Sequence, residues 1–174
     1  MRKLLGVLLA FGLMVPACLG ADPWRYVHPR AKVLAGIEWR RFAGSTLGAE
    51  VRKQANLTGM KAMGSLDLVD CVDRVLISSP GRVGAPGKQE ASVVVVMSGR
   101  FDLAQVRQVL GVQGGVARRY GTVEVMSPKG NLGGSSLEMA LVDAQTLLLA
   151  EPADLRAVLS GERHTSALAA FEKP

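Results

Sequence analysis

Residues 31–39 alternate with period two. Ala31, Val33, Ala35, Ile37 and Trp39 fall on one face, and Lys32, Leu34, Gly36, Glu38 and Arg40 on the other. This spacing predicts a strand with one apolar face. Residues 22–30 before it carry Pro23 and Pro29 and read as a lead-in. The period then changes. Leu47, Val51 and Ala55 recur at helical spacing behind Ser45, a good cap, and Gly59 is a plausible stop, so a helix is expected over 45–57. Asp67-x-x-Asp70 reads as a turn or short helical start, and 72–79 as a strand. Residues 79–89, with Gly81, Gly84, Gly87, Pro80 and Pro86, read as a loop. The run Val93-Val94-Val95-Val96-Met97 suits a strand buried on both faces, over 91–98.

Phe101 to Val106 gives the sharpest local signal. Asp102 fits an N-cap, Gln105 its reciprocal partner three residues on, and Phe101 can staple onto Val106. That helix is expected to run to Leu110 and stop at Gly111. Residues 116–120 and 122–127 form a hairpin or bent strand around Gly121, followed by a loop over 130–136. A second hairpin joins 137–142 to 146–150 through Asp143-Ala144-Gln145. Pro152 fits the first position of a final helix whose apolar face is Leu155, Val158 and Leu159 and whose stop is Gly161. Residues 162–174 are weakly patterned and read as a tail.

The order β-α-β-β-α-β, then a hairpin and a helix, matches a ferredoxin-like split unit with an extension. The expected fold class is therefore α+β: a single domain over 31–161, with one sheet covered by helices on one face.

The first 21 residues follow a different grammar. Arg2 and Lys3 precede an apolar stretch from Leu4 to Ala17, and the small residues Ala17, Cys18, Gly20 and Ala21 follow. Charge, apolar core and small residues in that order predict a signal peptide. The apolar core is 14 residues long, short of the about 20 needed to span a membrane. Val15-Pro16-Ala17-Cys18 resembles a lipobox, in which Cys18 becomes the lipidated first residue of the mature chain. Cleavage near Ala17 or Gly20 by an ordinary signal peptidase is the other outcome. Either way the expected compartment is outside the cytoplasm: the periplasm, the outer surface or the extracellular space. The membrane is reached only through a lipid on Cys18.

Without Arg2 and Lys3 the formal charge falls from +6 to +4, a mild bias. The basic pairs Arg40-Arg41, Arg52-Lys53 and Arg118-Arg119 stand apart from any long basic run. With only two Trp, two Tyr and four Phe, nucleic acid is not an expected partner. Once Cys18 is removed or lipidated, Cys71 has no disulfide partner within the chain and reads as a small buried residue.

Pro29-Arg30-Ala31-Lys32-Val33-Leu34-Ala35-Gly36-Ile37 resembles the opening strand of an uncharacterised family of exported bacterial proteins with a Pro-Asp-Ala-Lys-Val-Leu-Ala-Gly-Val run. Arg30 stands where that family has Asp. Leu66-Asp67-x-x-Asp70, Gly99-Arg100-Phe101-Asp102, Tyr120-Gly121 and the stretch from Thr146 to Val158 extend the similarity. The resemblance spans about residues 29–159. It implies strand ends, caps and turns, and it supplies no catalytic residues. Members of that family are typically longer, which implies a short member or the first module of a longer protein.

Several constellations invite a chemistry. Gly81 to Lys88 suggests a phosphate loop, but the spacing between Gly81 and Gly87 is one residue too long. Gln89 also takes the Ser/Thr position, and the segment joins two strands. Asp67, Asp70 and Asp73 lack the alternate ligand spacing and glycine of a calcium loop. His28 and His164 stand apart, without the paired motifs of a zinc site. No Gly-x-Ser-x-Gly elbow occurs, although a Ser-His-Asp site is recognised by geometry and not by spacing. Asn56-Leu57-Thr58 is a glycosylation sequon with an equally good reading at a helix end. No catalytic, cofactor-binding or metal-binding residues are assigned from sequence. The expected role is a non-catalytic binding or assembly domain whose partner is an envelope protein or ligand. An envelope hydrolase with an unrecognised site is the alternative. A deep pocket holding His28 or His164 beside a carboxylate would favour the hydrolase, and a flat or grooved sheet face with exposed apolar residues, the face not covered by helices, would favour binding.

Overall fold

The computed structural model describes residues 22–57, 68–81, 92–112, 114–127 and 137–161. The proposed signal with Cys18, the Gly-rich segment 82–91 and the tail with His164 lie outside the described residues. So does Asp67.

The chain is α+β, as expected. A short 3-10 turn, Pro23–Tyr26, leads into β1 (Val33–Glu38), then the helices α1 (Trp39–Ala43), α2 (Thr46–Leu57) and α3 (Leu68–Cys71). β2 (Val72–Ser79), β3 (Val94–Gly99) and α4 (Leu103–Val112) follow. The second half is β4 (Val116–Tyr120), β5 (Val123–Ser127), β6 (Glu138–Asp143), β7 (Thr146–Ala150) and α5 (Pro152–Leu159).

All seven strands join one antiparallel sheet in the order β1-β2-β3-β7-β6-β5-β4. This differs from the ferredoxin-like layout read from the element order. That layout relies on helical crossovers that return strands to the middle of a smaller sheet. Here β1 pairs only with β2 and forms an edge, and α4 carries the chain from β3 to β4 at the opposite edge. The reason lies in the strand faces. In β3, Val94 and Val96 are fully buried on one face, with Val95 and Met97 half-buried on the other. In β7, Leu148 and Ala150 are fully buried on one face and Leu147 on the other. Strands apolar on both faces need cover on both faces, so β3 and β7 pair at the centre.

For the same reason the helices do not share one face. Leu155 and Val158 of α5, with Tyr26, Val27 and Ala31 of the lead-in, pack against Leu76, Val94, Val96, Val125, Ala140 and Leu148. Phe101, Val106 and Leu110 of α4 and its cap pack on the opposite face against Met126, Met139, Leu141 and Leu147, with Trp39 of α1 beside them. The sheet is thus the middle of three layers, and the expectation of cover on one face only is corrected.

Local signals mark the joints. Asp102 Oδ1 accepts from the backbone N–H groups of Ala104 and Gln105 at 2.9 and 3.2 Å, capping α4. Ser45 Oγ accepts from Gly48 N–H at 3.1 Å and caps α2. Gly121 turns the β4–β5 hairpin with φ +62°. At the end of β3 a Cβ on Gly99 would lie 2.0 Å from the Cys71 carbonyl oxygen, which the next residue, Arg100, meets through its own N–H at 2.9 Å. Cys71 is half-buried, has no disulfide partner among the described residues, and packs beside the α4 face. No helix among the described residues is long and apolar enough to cross a membrane.

Leu148→Ala should lower the unfolding free energy by about 2–5 kcal/mol, because it opens a cavity in a fully buried central strand. Val33→Ala, at 55% exposure on β1, should cost under about 1 kcal/mol. Urea denaturation of the two variants checks the contrast.

Candidate functional site

Three features stand out as sites: two buried polar clusters and one open strand edge.

The first cluster contains the residues of a hydrolytic triad. His28, in the lead-in, is 2% exposed. Its Nε2 lies 3.3 Å from Asp154 Oδ1 on α5 and 3.2 Å from Ser92 Oγ, just before β3. Ser92 Oγ donates to Asp154 Oδ2 at 2.5 Å. The fold brings these groups together because the lead-in and α5 cover the same sheet face. The bond pattern, however, is not that of a nucleophile and its base. Arg30 N–H donates to His28 Nδ1 at 3.0 Å, so the neutral ring carries its proton on Nε2. That nitrogen faces Ser92 as a donor and cannot accept the serine proton, which is directed at Asp154. In a triad the carboxylate binds Nδ1–H and leaves Nε2 to the serine. Here serine and histidine both converge on one carboxylate. The histidine backbone is tied down as well: His28 N–H donates to Ser78 Oγ at 2.9 Å, and Ser78 Oγ donates to the Val94 carbonyl at 3.3 Å. The cluster pins the lead-in, β2, β3 and α5 into one unit.

The second cluster surrounds Glu138, a carboxylate only 4% exposed at the start of β6. It accepts from Ser127 Oγ on β5 at 2.6 Å and from Tyr120 OH on β4 at 3.1 Å. The Arg118 guanidinium is 3.9 Å away, and Arg156 of α5 lies over the Tyr120 ring at 5.2 Å from its centroid. A buried carboxylate with two hydroxyl donors is satisfied, so these bonds lace β4 and β5 to β6.

Two of the remaining acids singled out in the sequence lie among the described residues. Asp73 on β2 is ion-paired with Arg40 of α1, while Asp70 is exposed on α3. Burial of Tyr26 pushes its phenol above the ordinary value; Arg25 lowers it and Asp143 raises it, both more weakly.

The third feature is the outer side of β1. β2 bonds its inner side, and no described strand lies on the other. The alternating row predicted as an apolar face includes Val33, 55% exposed, with Ala35 exposed and Ile37 half-buried. Ala31, at the start of that row, is buried in the core, and Trp39, at its end, has turned into α1. The middle of an apolar stripe is therefore left open at a sheet edge. The opposite edge differs: β4 places the exposed Arg118 and Arg119 along its length, a common guard against further pairing.

Sequence reasoning located His28 but not its partners, because Ser92 and Asp154 lie 64 and 126 residues away. Glu138 did leave a trace. It heads the apolar run Met139 to Val142, where a carboxylate signals a buried bond. Comparison of the chain with protein-family models, curated proteins and solved structures gives no match.

Asp154→Ala leaves the Ser92 hydroxyl without its acceptor and His28 Nε2–H with Ser92 Oγ in place of the carboxylate, and should cost about 1–3 kcal/mol in urea denaturation, with Asp154→Asn milder. Tyr26 supplies a pH dependence. A phenol held above its unfolded value contributes stability that is fully present below about pH 10 and lost as pH rises through the folded value. Stability followed from about pH 8 to 11 should fall, and Tyr26→Phe should flatten that part of the profile.

Proposed function

We propose that this chain is an exported, non-catalytic domain that works by binding or assembly in the cell envelope. The observation that carries the reading is the open apolar row of β1. Val33 and Ala35 are presented along a strand whose outer N–H and C=O groups have no described partner. A partner strand adding there would gain main-chain bonds and apolar cover together. Export rests on the grammar of residues 1–21, and a lipid on Cys18 would tether the domain to a membrane. The resemblance to exported bacterial proteins supports the same compartment.

A second reading, an envelope hydrolase, draws on the closeness of Ser92, His28 and Asp154. It would require the histidine to exchange its Nδ1 bond and the serine to turn from Asp154. A fluorophosphonate probe tests it directly: labelling of the native protein that is lost in Ser92→Ala would support the hydrolase, and unlabelled protein counts against it.

The binding reading is tested in cells of a bacterial host. Mass spectrometry of the mature N-terminus should show loss of the first 17 to 21 residues, with a diacylglycerol adduct if Cys18 is lipidated. A photo-cross-linking residue at Ala35 should give protein adducts in the envelope fraction. The same residue at Ala153, exposed on α5, should give none. An uncleaved cytosolic chain, or the absence of adducts at Ala35, would overturn the proposal.

A further inference from the structure

Resting on the binding reading, we propose that the occupant of the β1 edge is a second copy of this chain. The two β1 strands pair antiparallel about a two-fold axis through Ala35 and join two seven-stranded sheets into one.

Symmetry restricts the ways a strand can pair with its own copy. In a continuous antiparallel sheet, residues directly opposite each other point to the same face. A two-fold axis therefore passes through a residue, not between two, and the choice falls among Leu34, Ala35 and Gly36. About Ala35, Lys32 lies opposite Glu38, Val33 opposite Ile37, and Leu34 opposite Gly36. Lys32 and Glu38 are both exposed. Glu38 already accepts from Arg74 Nε at 2.8 Å across the β1–β2 pair, so the partner's lysine would extend a ladder of alternating charge over three strands. The apolar row Val33-Ala35-Ile37 would continue into its own copy on one face of the seam. Cross-strand pairs of opposite charge and of β-branched residues are those that stabilise antiparallel neighbours.

The neighbouring registers lose these features. About Gly36, Glu38 faces Leu34, and Lys32 runs past the end of the strand, where the chain has turned into α1, so the charge pair is lost. About Leu34, Ile37 faces Ala31, which is 3% exposed and committed to the core. Gly36 itself points the same way. Its φ is not positive, and a Cβ there would meet nothing within 4 Å. The fold of a single copy does not demand glycine at this position, whereas glycine within a strand is common where another backbone approaches closely. Opposite the partner's Leu34 it sets a small residue against a large one. At the other edge, an axis through Arg118 or Arg119 would set that arginine against its own copy.

A seam of this length makes a weak dimer, so association should depend on concentration. Sedimentation equilibrium of the mature protein, purified from the compartment to which it is exported, should show a monomer–dimer equilibrium. Lys32→Glu should raise the dissociation constant about tenfold by turning two attractive cross-strand pairs repulsive. The triple variant Lys32→Glu, Glu38→Lys, Arg74→Glu, which preserves the internal 38–74 pair, should restore it. Oxidation gives the register. Ala35→Cys should form a disulfide dimer above the wild-type background, because directly opposed Cα atoms lie about 4.5–5.5 Å apart. Val33→Cys should not, being displaced from its copy by about 13 Å along the strand. A protein that stays monomeric to about 100 μM, or that cross-links equally through Val33→Cys and Ala35→Cys, overturns the proposal. A monomer that still forms the Ala35 photo-adduct with a different envelope protein overturns self-pairing alone. A monomer without the adduct overturns the binding reading too.

Discussion

The pairing of β3 with β7 is the constraint on which the rest of the structure depends. Both strands are apolar on both faces, with Val94, Val96, Leu147, Leu148 and Ala150 fully buried. Burial of each valine or leucine among them is worth about 1.5–3 kcal/mol, and it requires cover above and below. One consequence is the three-layer arrangement, with α5 and the lead-in on one side and α4 with α1 on the other. Another is the position of every other strand. Once β3 and β7 hold the centre, β1 and β4, whose residues are mostly exposed, are left at the two edges.

The polar residues inside this frame follow from the same geometry. The lead-in must lie flat on the sheet beside α5 to cover Leu76 and Val94, and that position buries His28. A buried imidazole needs partners for both nitrogens. Arg30 N–H supplies one, and the Asp154–Ser92 pair supplies the other. The carboxylate in turn takes a second donor in Ser92. Closeness of serine, histidine and aspartate thus arises from satisfying a covered histidine, and the direction of each proton separates this arrangement from a catalytic one. Glu138 shows the same logic at the far end of the sheet, where Ser127 and Tyr120 meet its two oxygens.

Much of the local structure was legible in the sequence, because local rules produce it. The cap at Asp102, the hairpin at Gly121, the start of α5 at Pro152 and the strand over 72–79 all rest on residues within a few positions of one another. The strand order was not legible in the same way. Element order alone suggested a ferredoxin-like unit, but the choice of neighbours depends on which strands are apolar on both faces. The signal for that choice lay in Val93 to Met97 and in Leu147 to Leu149, read as faces and not as elements. Alternation marked a strand at β1, yet it could not tell which row is covered: Leu34, from the row read as the other face, packs on the core, while Val33 and Ala35 are exposed. Of the polar groups, Glu138 was marked by its place at the head of the apolar run Met139 to Val142. The partners of His28 carried no local mark, since only the folded sheet brings Ser92 and Asp154 to it.

The two edges of the sheet invite a last comparison. Edge strands expose unpaired main-chain groups and tend to be blunted by charge, proline, bulges or cover. β4 follows this rule with two arginines in five residues. β1 does not: from Val33 to Ile37 it carries no charge and no proline, and its residues pair with β2 without a shift in register. An unguarded edge of this kind is a liability in a protein that works alone and an asset in one that adds a strand. The placement of charge supports the second view. The charges at the ends of this stretch, Lys32 and Glu38, are opposite in sign and equidistant from Ala35, so an antiparallel copy paired about Ala35 would set each against its opposite. Charge at the ends of the strand thereby selects a partner, where charge within it, as in β4, would exclude one.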